Sequence, residues 1–173
     1  MEQTLALEGR DDVTSDETRV ETIGQLFDAH HARLYHLALR MTWGDDDARD
    51  LVQECFLRAI EHPLPGDPKV AERWLTRVLV NLCRDRHRRT AIRRAYADER
   101  RNRSLASSSD PATSATLQDA VLALPVRQRA VVVLHEIEGR TLREIGELLG
   151  IAAVTARWHL HVALRTLRKE LSR

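Results

Sequence analysis

Aromatic side chains are scarce in this chain, with two Phe, three Trp and two Tyr among 173 residues. A large β-sandwich or barrel enriches its strands in aromatics, so that class is disfavoured. Cysteine is limited to Cys55 and Cys83, without a C-x-x-C spacing, which speaks against a disulfide framework or a zinc knuckle. No apolar run approaches the roughly 20 residues that a bilayer crossing needs. The N-terminus has no basic-then-apolar leader pattern. These absences lead us to expect a soluble, cytoplasmic protein. There is no phosphate loop, G-x-S-x-G or H-E-x-x-H, so no catalytic residue, cofactor or small-molecule substrate is expected.

Lysine is nearly missing as well, standing only at 69 and 169. The remaining basic residues are arginines, whose planar fork suits phosphates and base edges. A GC-rich genome would produce the same bias. The net charge of +1 hides an uneven distribution. Glu2, Glu8, Asp11, Asp12, Asp16, Glu17 and Glu21 face only Arg10 and Arg19 at the start. From Arg84 to Arg103 the balance reverses, with only Asp85, Asp98 and Glu99 as acids.

Hydrophobic spacing predicts an all-α chain of two small helical domains. Residues 1–20 are acidic and aperiodic and read as a disordered tail. The first domain spans 21–103. Its first helix carries Leu26, Phe27, His30, Leu34, Leu37, Ala38 and Met41 on one stripe and ends at Gly44. A second opens in Asp45-Asp46-Asp47, where acids suit the helix dipole, and buries Leu51, Val52, Cys55, Phe56, Ala59 and Ile60. The third opens at Asp67-Pro68 and carries Val70, Trp74, Leu75, Val78, Leu79 and Leu82. Residues 104–115, rich in Ser and Ala, read as a flexible linker. The second domain, 116–173, holds four short helices.

Residues 141–167 have the pattern of a helix-turn-helix. Thr141-Leu-Arg-Glu144 is a capping box, Gly150-Ile151-Ala152 a turn, and a longer helix follows. Ile145, Leu149, Ile151, Val154 and Leu160 are expected to bury between the two helices. In such a motif the second helix lies in the major groove. Thr155, Arg157, Trp158, His159 and His161 then face outward. Trp158 could pack on a thymine methyl, a sugar or a protein partner. In the third helix, Arg77, Arg84, Arg86, Arg88 and Arg89 follow Trp74. Such a run can neutralise phosphates beside a stacking aromatic, or can simply be a solvated face.

These segments together resemble the extracytoplasmic-function group of the bacterial sigma-factor family over residues 23–172. Asp50-Leu-Val-Gln-Glu-Cys-Phe-Leu-Arg-Ala59 is similar to the family segment that docks on the β′ clamp helices of RNA polymerase. The resemblance implies contacts from Asp50, Gln53 and Glu54, with Leu51, Val52 and Phe56 divided between partner and core. Arg73-Trp74 through Arg84-Asp85 resembles the helix that melts and reads the minus-ten element. That implies roles for Trp74, Arg77, Asn81, Arg84, Arg86, Arg88 and Arg89. Leu124-Pro125, Arg129, Glu138-Gly139, Glu144-Ile145, Leu149-Gly150-Ile151 and Thr155 resemble the domain that reads the minus-thirty-five element. That implies Arg140, Thr141, Thr155, Arg157, Trp158, His159, His161 and Arg165 as contacts. Implied partners are core RNA polymerase, through its β′ clamp helices and β flap, promoter DNA, and an anti-sigma factor. The chain departs from the family pattern at Ala71, where Phe is usual, and at Val80, where Arg is usual. His159, Val162 and Leu164 also replace basic residues, so phosphate contacts and salt dependence should be reduced there.

Other readings carry less. His30-His31 and His159-x-His161 do not share a helical face, and Cys83 with His87 supplies only two ligands, so no metal site is expected. A Mg²⁺-dependent nuclease built on Asp45–Asp47 competes with plain helix capping of the same residues. A response-regulator output domain would need an α/β receiver, and 23–103 shows no such alternation.

Overall fold

The computed structural model describes residues 10–62, 67–102 and 116–172; the expected linker lies outside them. All regular structure among the described residues is helical. Helix α1 spans Arg10–Thr42, α2 Asp45–Glu61 and α3 Pro68–Asn102. The second half contains α4 Leu117–Ala123 and α5 Val126–Val132, which continues as a π-helical turn Val133–Ile137. Helices α6 Leu142–Leu149 and α7 Ala153–Leu171 complete it.

Two boundaries differ from expectation. The tail expected to be disordered through residue 20 is helical from Arg10. The chain leaves α1 through Trp43, whose φ of 56° is left-handed, while Gly44 is extended. The strained residue is therefore the tryptophan, held because its half-buried indole packs on Ala120, Val121, Leu124, Val132, Ala163 and Leu167 of the second half.

Helices α1 and α2 are antiparallel. Phe27 meets Phe56 at one end, with ring centroids 4.9 Å apart, and the Tyr35 hydroxyl donates to Asp45 at the other. Helix α3 returns along α2, placing Cys55 Sγ 3.5 Å from the Leu75 carbonyl and Arg86 against Asp47. Leu34, Leu37, Met41, Val52, Leu75 and Leu79 fill the space between the three. Burial pushes the Cys55 and Cys83 thiols up to about 12, so both act as small apolar side chains.

The two halves are packed on each other. One apolar cluster runs from Leu34 and Leu79 in the first half to Val131, Leu134, Ile145 and Leu148 in the second. Arg129, only 3% exposed, reaches across this seam. Its guanidinium donates to the carbonyls of Met41 at the end of α1 and of Leu122 and Leu124 at the end of α4. Helix ends leave carbonyls without partners and carry partial negative charge, so the cation satisfies three acceptors at once.

Candidate nucleic-acid interface

The helix-turn-helix is built locally. The Thr141 hydroxyl accepts from the Glu144 amide at 3.3 Å and donates to Glu144 Oε2 at 2.7 Å, while the Glu144 carboxylate takes the Thr141 amide at 2.8 Å. These Thr141 hydrogen bonds hold the Glu144 carboxyl below the usual range. Gly150, at φ 68°, closes α6. A Cβ on Gly146 would stand 2.7 Å from the Ile151 carbonyl, so only glycine lets the turn fold back onto α6. Helical spacing gives no sign of Gly146's role, because a lone glycine inside a helix has no outward signal of a close approach.

On α7, Ala156, Ala163 and Leu167 face inward. Val154, Arg157, Trp158, His161 and Arg165 are exposed on the opposite face. Val154, expected in the core, is 72% exposed because the inner row is set by Ala156. Thr155 is half-buried. His159 is turned toward the protein, its Nδ1 buried and its pKa lowered by burial and then by nearby Arg127. Thr141 is exposed but occupied as a cap. Arg140 donates to Glu72 Oε1 at 2.8 Å and lies 3.8 Å from Glu138.

On α3, Arg77, Asn81, Arg84 and Arg88 are exposed at spacings of three and four, forming one stripe. Arg89 is exposed beside them. Trp74 is half-buried against the core, its ring 6.2 Å from that of His62, so its first role is packing. Arg86 is tied to Asp47 and lies 3.5 Å from Asp50, which joins the basic helix to the acidic face of α2. Arg77 donates to the carbonyls of Glu147 at 2.7 Å and Leu148 at 3.2 Å, capping the end of α6. Its guanidinium lies where a Cβ on Gly150 would be 3.0 Å from Nε.

The α2 segment divides between core and surface. Leu51, Val52 and Phe56 are buried in the core, the last two forming the floor of a surface groove. Asp50 and Gln53 are exposed, and Glu54 is half-buried with Arg58 at 3.0 Å. The groove's apolar walls are Phe27, Leu57 and Ile60, each between 43% and 48% exposed. Phe27 and Ile60 sit on the edges of their stripes, where spacing alone cannot separate core from surface.

A network absent from the sequence reading joins the halves. Arg33 lies 2.9 Å from Glu138 and 3.4 Å from Glu72 and donates to Thr76 at 3.2 Å; Arg140 closes the ring. Among the described residues no cluster of three His, Cys, Asp or Glu could hold a metal, and no helix is long and apolar enough to cross a membrane.

A helix-turn-helix with an outward cationic face, beside a second basic helix, defines a nucleic-acid-binding protein. The chain matches the family models for Sigma-70 region 2 over residues 26–93 and Sigma-70, region 4 over 114–167. It is 35% identical to the ECF RNA polymerase sigma factor SigE of Mycolicibacterium smegmatis, over 94% of this chain and 66% of that protein. It is 34% identical to the ECF RNA polymerase sigma factor SigL of Mycobacterium tuberculosis, over 84% of this chain and 86% of that one. A structural neighbour is the sigma factor RpoE in complex with the anti-sigma factor NepR from Bartonella quintana, at a TM-score of 0.48 and 16% identity, covering 92% of this chain and 97% of that one. The chain belongs to the extracytoplasmic-function sigma factors of the sigma-70 family. It is thus an alternative sigma factor, a subunit that binds RNA polymerase for promoter recognition.

Proposed function

We propose a residue-level division of this work. The α1/α2 groove, walled by Phe27, Leu57 and Ile60 and edged by Asp50 and Gln53, receives the β′ clamp helices. The Arg77–Asn81–Arg84–Arg88 stripe faces the non-template strand at the minus-ten element and stabilises its melted bases. The outward face of α7 enters the major groove at the minus-thirty-five element, while the β flap supports the second domain. The observation that carries this reading is the placement of two cationic faces on separate helices, α3 and α7, with a third, apolar face on α1 and α2. The chain then needs no catalytic residue or small-molecule substrate of its own, and works in the cytoplasm.

Arg77 and Arg140 are committed to contacts between the halves. Promoter reading by both therefore requires the halves to separate. An anti-sigma factor of the kind the family resemblance implies would hold them closed. The test uses holoenzyme assembled from core polymerase and the full chain. Arg157→Ala should weaken upstream-element binding and leave core affinity unchanged, whereas Gln53→Ala with Asp50→Ala should do the reverse. Loss of DNA binding alone in both variants contradicts the assignment of α2 to polymerase.

A further inference from the structure

We infer that Val154 and Trp158 form an apolar ridge on α7 that selects thymines in the upstream promoter element by contact with their C5-methyl groups. This inference rests on the assignment of α7 to the major groove. The two side chains are 72% and 58% exposed and stand one helical turn apart on the same face. Arg157, His161 and Arg165 flank them, and Glu170 near the far end is the only acid in α7. A protein partner would be expected to find both signs of charge around an apolar contact. A stretch of α7 whose charges around the ridge are arginines instead suits a polyanion. The four residues from Val154 to Trp158 rise about 6 Å, a little under two base-pair steps of about 3.4 Å, so the pair can reach positions one to two steps apart. The thymine methyl is the apolar group that the major groove offers to such a ridge, whereas guanine, cytosine and adenine present polar atoms. The indole is also braced, with the half-buried His159 ring edge-on to it at 5.0 Å and 64°. Bracing reduces the rotamer freedom lost on binding.

The test takes the upstream duplex selected by the reconstituted holoenzyme and replaces each thymine in turn by deoxyuridine, which removes only the methyl. The expected result is a loss of about fourfold in affinity at one or two positions no more than two steps apart, the scale of one buried methyl group. Trp158→Ala should abolish the penalty at one position, and Val154→Ala should abolish it at the other or reduce it. A selected element without a recurrent thymine overturns the inference. So does indifference to deoxyuridine at every position, or a penalty that is the same in wild type and both variants. If the holoenzyme selects no upstream element at all, the major-groove assignment fails as well, which separates the two failures. A sugar contact would make Trp158→Ala weaken every duplex equally, with no methyl dependence, and this too counts against the ridge.

Discussion

At Arg129 a guanidinium lies buried with no ion pair among the described residues. Burial lowers its pKa, but arginine stays charged, and three carbonyls at two helix ends replace the lost water. Arg129→Met leaves those carbonyls unpaired and should cost roughly 2–4 kcal/mol in urea unfolding, at the scale of several charged hydrogen bonds net of compensation. Arg129→Lys should recover little, because a point charge cannot reach three acceptors spread over two helix ends. A stability within 0.5 kcal/mol of wild type for either variant, about the noise of an ordinary surface substitution, contradicts this role. Gly150 is a second single-residue test. Gly150→Ala meets left-handed backbone strain of about 1–2 kcal/mol and also crowds Arg77, so the loss should shrink when Arg77 is first changed to Ala. Additive losses in the double variant would show that the two do not touch in solution.

Helices in this chain are fixed mostly by local chemistry, and those parts were legible in the sequence. The Thr141–Glu144 box, the glycine after α6 and the start of α7 stand where the pattern puts them. Thr141→Ala should cost about 1 kcal/mol. The Glu144 carboxyl is depressed in the folded state, so its capping contribution is present above the ordinary carboxyl range and lost as pH falls through the lowered value. Wild type should therefore lose stability over that acid window more steeply than Thr141→Ala, in thermal melts of the full chain at a series of pH values. Equal slopes would mean that the Glu144 carboxylate adds nothing to the cap. What spacing could not give was the phase of each edge residue. Val154 moved from expected core to surface, because a one-position rotation of a stripe is decided by the neighbouring helix. The extension of α1 to Arg10 was hidden for a different reason: acidic residues suit both a disordered tail and a helix N-terminus.

Across the whole molecule, the two helical domains pack on each other through one core, the Arg33–Glu72–Glu138–Arg140 ring, Arg77 and Trp43. None of these contacts has a periodic signature, since each pairs residues far apart in the chain. Arg33→Ala with Arg77→Ala should loosen the seam and enlarge the radius of gyration in small-angle scattering. Raising salt should do so less in the double variant, because the ion pairs it would screen are gone. An unchanged scattering profile would mean that the apolar seam alone holds the halves. This chain binds RNA polymerase for promoter recognition, and the division of work proposed above has it open the minus-ten element there. The most direct measurement is the fluorescence of 2-aminopurine placed in the minus-ten region of a selected promoter, followed with core alone, chain alone and both. A rise only when both are present, weakened by Asn81→Ala and by the Asp50→Ala, Gln53→Ala pair, is the expected result. No rise with the reconstituted holoenzyme, or an equal rise with core alone, would contradict it.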